Sequence, residues 1–400
     1  MPIRIAGAGC CLMDILYPKA DFSSAAFSAA RSRREGDGGL SPGRLVFTED
    51  AERFTGRPFA ETLAAIAGPS PAAENVGGPC VASLIHAAQM LEGEGIPVAC
   101  YGATGDDGIG RALRGKLSRT PLDASRLESL RGRTPSTFVL SDPSWDGGRG
   151  ERCFVNDIGA AEAYGPADLD EDFFGADIAA LGGTALVPGL HEGLPGILAE
   201  ARSRGSLTAV NTVFDFRAER RDGIGAWPLG GPLSASGPGP ASSYRACDLL
   251  VMDRDEALRL SGEASLGAAL AFFQGCGVGA FVVTRGSESV LAWAGEGRFS
   301  PMPSRELPVR PRASRGDTTG CGDAFAGGIL AALALQMKAA AGAHLGPVQL
   351  DLADAISWGI AAGSFTLGIL GGTYYESRPG EKRELVSARR GDPLAQTGAL

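Results

Sequence analysis

Histidine is scarce in this sequence, with three residues in all, and no metal-site spacing joins His86, His191 and His344. The eight cysteines contain no C-x-x-C pair, which excludes a zinc ribbon and a thioredoxin-type motif. No apolar stretch approaches the roughly 20 residues needed to span a bilayer. The apolar run at the start, Met1–Cys11, is too short for a signal peptide and is soon interrupted by Asp14. These absences lead to the expectation of a reduced, cytoplasmic protein with no membrane partner. Positive charge is also in deficit, 37 Lys and Arg against 46 Asp and Glu, which argues against nucleic acid as the main partner. What is abundant is glycine, at 59 residues, as suits tight turns and close backbone approaches.

The 400 residues read as one α/β domain. Ile3–Cys11 has the pattern of a buried strand ending near Asp14. From Lys19 to Asn75 regular alternation is lost, although Asp50–Phe54 and Phe59–Ile66 are amphipathic. That length is too great for a bare loop, so the stretch is read as an insertion packed on the core. Beyond Gly77, strand-like runs at Val98–Gly102, Ile178–Leu181, Leu207–Asn211, Asp248–Met252 and Ala280–Thr284 alternate with helical spacing. The helical runs are Val81–Leu91, Gly108–Leu117, Leu194–Arg204, Arg254–Leu260 and Leu266–Phe273. Such alternation predicts a mostly parallel central sheet flanked by helices. Ser136–Leu140 and Arg152–Ile158, joined by the turn-rich Asp142–Gly150, read instead as a hairpin. Lid elements are expected at about 15–75, including the insertion, and 133–158. Gly230–Ser243 reads as a surface loop and Arg310–Arg315 as an irregular basic lead.

That lead opens on Gly316-Asp-Thr-Thr-Gly-Cys-Gly-Asp323, followed by a helix of small and apolar residues. The amides of Gly320, Cys321 and Gly322 would then lie at a helix N-terminus, where N–H groups and the helix dipole favour an anion. Asp323 is out of place beside a simple phosphate site. It makes sense as a base that takes a proton from a hydroxyl attacking a phosphoryl group. Caps and a packing turn would account for any one of these residues. The ordered set within seven residues is harder to reach by chance.

Asp317-Thr-Thr-Gly-Cys-Gly-Asp323 resembles the signature of the PfkB/ribokinase family of carbohydrate and nucleoside kinases. Gly77-Gly78 with its following helix, and Tyr101–Gly110, resemble the family's N-terminal signature. The resemblance implies a ribokinase-like fold with a small β lid, ATP and Mg2+ as cofactors, and a sugar-like small-molecule acceptor. It makes Asp323 the catalytic base beside the Gly320–Gly322 anion hole. Asp14, Gly77, Gly78 and Asn156 are expected at the acceptor, and Thr284, Gly286 and Thr319 at the nucleotide. Glu256 and Asp253 are expected to order Mg2+, largely through water. Asp317 and Thr319 are expected beside a monovalent cation, K+, and the lid as a homodimer contact. Asp253 stands where the family has Asn, and Ala82 where it often has Asn. A nucleoside acceptor is the alternative within enzymes, and a non-catalytic kinase-like binding or regulatory protein the alternative outside them.

Two further glycine patterns are set aside. Gly110–Lys116 is close to a P-loop, but Leu117 stands where Ser or Thr must meet Mg2+. Gly7-Ala-Gly9 lacks the third glycine of a dinucleotide fingerprint, with Leu12 in its place.

Overall fold

Five consecutive buried residues, Ile5–Gly9, form a strand in the interior of a large sheet. A strand apolar on both sides must be covered on both faces, as parallel sheets are. The computed structural model describes residues 2–34, 36–213, 243–309, 318–342, 349–369 and 371–391. In chain order the strands are β1 (Ile5–Gly9), β2 (Leu12–Tyr17), β3 (Leu45–Phe47), β4 (Ala73–Gly77), β5 (Val98–Gly105), β6 (Leu127–Leu130) and β7 (Ser136–Asp142). They continue as β8 (Glu151–Asp157), β9 (Ile178–Gly182), β10 (Leu207–Asn211), β11 (Leu249–Asp253), β12 (Ala280–Thr284), β13 (Ser289–Ala294) and β14 (Met302–Pro308).

The larger sheet runs β14-β13-β12-β11-β10-β9-β1-β5-β6. From β12 to β6 every pairing is parallel. β13 and β14 add an antiparallel edge that the sequence reading did not include. This is the ribokinase-like α/β architecture expected from the sequence. Helix Gly108–Leu117 starts on an Asp107 cap, so the near P-loop forms an ordinary helix.

One expectation is corrected. The predicted strand Ile3–Cys11 with Asp14 at its end is two strands. The chain leaves the larger sheet after Gly9 and enters a second sheet at Leu12, so Asp14 lies within β2. This second sheet, ordered β3-β8-β7-β2-β4, contains the stretches expected to form a lid. The insertion supplies its edge strand β3, parallel to β8, and the helices Ala25–Ala30, Thr48–Thr55 and Phe59–Ala67. Phe27, Ala51, Phe59, Leu63 and Ile66 are buried in one cluster with Met13, Ile15, Val76 and Val155. Those strand residues alternate with the Asp14 side, so the insertion covers the lid face that points away from Asp14.

Helix Cys321–Gly342 is long and apolar enough, by length and composition, to cross a membrane, contrary to the expectation that no stretch approached this. In the structure 61% of its apolar window is buried. It packs between helices Pro79–Leu91 and Leu352–Thr366 at very short range: a Cβ on Gly327 would meet Ser83 O at 2.3 Å, and one on Gly328 would meet Trp358 O at 2.8 Å. The predicted loop at residues 230–242, the basic lead Arg310–Arg315 and Asp317 lie outside the described residues.

Candidate active site

The carboxyl ends of the parallel strands come together as open α/β sheets arrange them. Gly9, Gly182 and Asn211 are in register across β1, β9 and β10, and Asp253 pairs with Thr284 at the ends of β11 and β12. Asp323 enters from the first turn of helix Cys321–Gly342. Burial pushes its carboxyl up to about 6, while a hydrogen bond from the Asn211 side chain holds it down.

Of the three amides expected to form an anion hole, Cys321 N–H already bonds Thr318 O at 3.2 Å. That correction leaves Gly320 and Gly322, at the end of the turn and in the first helical turn, where the helix offers N–H groups no partner. The Gly320 backbone lies so close to Gly372 that a Cβ on Gly320 would sit 2.4 Å from Gly372 Cα. Gly322 is exposed, and a Cβ there would have no neighbour within 4 Å.

Asp253 and Glu256 form a capping box at helix Arg254–Ser261. Glu256 N–H donates to Asp253 Oδ1 at 2.8 Å, and Glu256 Oε2 accepts from Asp253 N–H at 2.9 Å and Thr212 Oγ1 at 2.7 Å. Burial first, and then the Asp253 charge, push Glu256 up to about 8, with Asp323 adding to the shift. Asp253 thus acts on the site by holding Glu256. Among the described residues no group of three or more His, Cys, Asp or Glu is placed to hold a metal. A single desolvated carboxylate with one oxygen left over suits Mg2+ that arrives with nucleotide phosphates and keeps its waters. Thr284 and Gly286 lie at the adjacent strand end, and Thr284 Oγ1 reaches Met252 O at 3.5 Å.

Asp14 and Gly77 are in direct contact: a Cβ on Gly77 would lie 2.3 Å from Asp14 Oδ2. Gly78 packs on Cys10, where a Cβ would meet the Cys10 carbonyl oxygen at 2.6 Å. The Cys10 thiol is driven well up by burial first, then by Cys11, and then by the charges of both Asp14 and Asp323. Asp14 and Asp323, expected at acceptor and base, thus both contribute to raising this thiol.

Lid register extends this floor. Asn75 pairs with Asp14, Asp14 with Thr137, and Thr137 with Asn156, which places four polar residues in one row. Paired residues in register share a face. Asn156 is 3% exposed, and its Oδ1 has no hydrogen-bond partner among the described residues. Two residues further along on the same face lies an apolar row of Leu16, Val139, Phe154 and Leu45.

Arg152, from β8, crosses to the loop before helix Cys321–Gly342. Its Nη1 donates to Thr319 Oγ1 at 2.5 Å and its Nη2 to Thr318 Oγ1 at 3.3 Å. The insertion steadies this strand, since Gly43 N–H donates to Arg152 O at 2.6 Å. Of the residues expected beside a monovalent cation, Thr319 is engaged by this guanidinium and Asp317 lies outside the described residues.

Sequence reasoning missed Asn211, Thr212, Asn75 and Thr137. Asn211 and Thr212 carry a weak signal, as polar residues directly after a buried run. Asn75 and Thr137 carry none until the strands are paired.

Residues 233–376 match the model described as pfkB family carbohydrate kinase. The matched segment contains the Asp317–Asp323 signature and the Thr284–Gly286 turn. A stretch of 84 residues is 37% identical to cytidine kinase from Thermococcus kodakarensis, covering 21% of this chain and 28% of that enzyme's length. Adenosine kinase from Sinorhizobium meliloti superposes with a TM-score of 0.67 at 19% identity, over 98% of this chain and 99% of that one. A probable sugar kinase from Rhizobium etli does so with a TM-score of 0.66 at 18% identity, over 97% and 98%. At these identities the solved structures establish the shared fold, and the activity is argued from the site.

Proposed function

We propose that this chain is a PfkB-family kinase that transfers the γ-phosphoryl group of ATP to a hydroxyl of a polyhydroxylated small molecule. The observation that carries the reading is the placement of two carboxylates: Asp14 packs on Gly77, next to the Gly78–Cys10 contact, and Asp323 sits in the first turn of helix Cys321–Gly342, bonded by Asn211 at the carboxyl end of β10. Asp14 accepts hydrogen bonds from adjacent acceptor hydroxyls, with Asn75, Thr137 and Asn156 continuing its row. Asp323 takes the proton of the attacking hydroxyl, whose oxygen forms the new bond to phosphorus as ADP leaves. The Gly320 and Gly322 amides meet the charge on the transferring group. Thr284, Gly286 and Thr319 would line the nucleotide, and Glu256 would hold Mg2+ through water. When bound, Mg2+ would neutralise phosphate charge. An oligomer through the lid would have to use a surface other than the face its own insertion covers.

The apolar row Leu16, Val139 and Phe154 beyond the polar row favours a second reading, in which the acceptor is a nucleoside. Its ribose would meet Asp14 and its base the apolar row. A screen of sugars, sugar acids, amino sugars and nucleosides for acceptor-dependent ADP formation with Mg2+ tests both readings. Turnover on a nucleoside alone selects the second. No ATP turnover with any acceptor would leave a kinase-like binding protein.

A further inference from the structure

His86 lies in the middle of helix Pro79–Leu91 and is 0% exposed. It sits where three elements meet. A Cβ on Gly327 of helix Cys321–Gly342 would lie 2.7 Å from His86 Cβ. Its ring Nε2 is 2.9 Å from the carbonyl oxygen of Gly372. A carbonyl can only accept, so Nε2 carries the proton and Nδ1 is left as an acceptor. Nδ1 has no hydrogen-bond partner among the described residues. A buried, unsatisfied acceptor costs about 1–3 kcal/mol. As a packing residue His86 is therefore worse than an apolar one of the same size.

The bond it does make bears on the site. Gly372 is the residue against which Gly320 is packed, Cα to the place of a Cβ at 2.4 Å. The segment around it is tied at several points to the acceptor side. Thr373 Oγ1 donates to Val76 O at 3.3 Å, and Gln89 Nε2 donates to Tyr374 O at 2.6 Å. A Cβ on Gly371 would lie 2.3 Å from Asn75 Nδ2, in the polar row of the lid. The strap Gly371–Tyr374 thus runs from the lid to the anion loop, and His86 holds it at the point where it meets Gly320.

We propose that His86 is a positioning residue: by fixing Gly372 O it sets the place of the Gly320 amide relative to helix Pro79–Leu91. It touches neither substrate nor nucleotide. The role rests on the phosphoryl-transfer reading above for its effect on rate, but not for its effect on the loop.

The test compares the full chain with His86→Leu, which keeps size and removes the donor, and His86→Gln, whose amide nitrogen can replace Nε2. Two measurements are made: amide hydrogen exchange of the peptide spanning residues 318–324, and turnover on the acceptor identified by the screen. His86→Leu is expected to keep its melting temperature or raise it, while exchange of 318–324 quickens at least about threefold. kcat is expected to fall about tenfold or more with little change in KM for the acceptor, and His86→Gln to restore most of both. Unchanged exchange in His86→Leu overturns the proposal. So does a loss of kcat that His86→Gln fails to recover while its melting temperature stays normal. If His86→Leu melts early, His86→Gln against wild type decides alone: normal exchange and kcat support the role, and slow turnover with wild-type stability refutes it. If the wild-type protein turns over no acceptor, the kinase reading fails, and exchange still judges the placement of the loop.

Discussion

Arg152 Nη1 and Thr319 Oγ1 are 2.5 Å apart, a bond that ties the lid sheet to the loop at the head of helix Cys321–Gly342. It joins residues 167 positions apart in the chain, from two different sheets' surroundings. The guanidinium also lies over the Phe154 ring, 5.5 Å from its centre, so an aromatic neighbour orients it. On the proposed reading this contact would close the site and exclude water from the transferring phosphoryl group.

Arg152→Ala is accordingly expected to lower kcat/KM by about ten- to a hundredfold, since hydrogen bonds to charged groups are worth about 1.5–3 kcal/mol. It should also raise the share of ATP lost to hydrolysis. Arg152→Lys should recover only part, because a point charge cannot reach both Thr318 and Thr319. Steady-state kinetics with and without acceptor check this. Equal coupling of ATP use to product in Arg152→Ala would mean that the contact does not seal the site.

Gly322 separates packing from function. A Cβ there meets nothing within 4 Å, so Gly322→Val should fold with little loss of stability. The added methyl groups would stand where a phosphoryl oxygen must approach the amide, and turnover should collapse. Circular dichroism melting beside initial rates makes the distinction. Near-wild-type rates would place the phosphoryl group elsewhere.

Much of this site was legible in the sequence because its parts are local. The Gly320–Asp323 turn, the Asp253–Glu256 motif and the Gly77–Gly78 pair each sit within a few residues, and local spacing makes such pieces recognisable. The parallel sheet was legible through its alternation of apolar runs with helical spacing. Asp14 was singled out, but its strand was misplaced, because Ile3–Tyr17 is apolar almost throughout and the step between sheets at Cys10–Cys11 leaves no break in pattern. The edge hairpin β13–β14 escaped for the opposite reason: β14 is largely exposed and lacks an apolar run. The polar row Asn75, Asp14, Thr137 and Asn156 depends on register between distant strands, which no local pattern encodes. The same holds for Arg152 on Thr319 and His86 on Gly372.

Gly77 makes the acceptor side testable without touching a charged group. In Gly77→Ala the new methyl would fall 2.3 Å from Asp14 Oδ2, so the carboxylate must swing away. A displacement on that scale is expected to cost about ten- to a hundredfold in kcat/KM for the acceptor. Acceptor-independent ATP hydrolysis should not change. Parallel titrations of acceptor and ATP will tell; a rise confined to KM for ATP would remove Asp14 from the acceptor site.

On the proposed reading Asp323 sets the pH dependence. Its carboxyl is raised to about 6, chiefly by burial, and a base works only when deprotonated. kcat/KM should therefore be level near neutrality and fall about tenfold for each pH unit below about 6, reporting the free enzyme. Asp323→Asn should lower kcat by about 10²–10⁴ and abolish that limb of the profile, leaving ATP binding largely intact. Stability should move the other way. A carboxyl whose folded pKa is raised favours the fold below its unfolded value near 4, and that contribution is lost as pH rises through 6. The variant, which cannot ionise, should thus gain on wild type in melting temperature between pH 4 and 7 even as it loses activity. A variant that loses both together, or a wild-type profile flat from pH 5 to 7, would show that Asp323 is not the base.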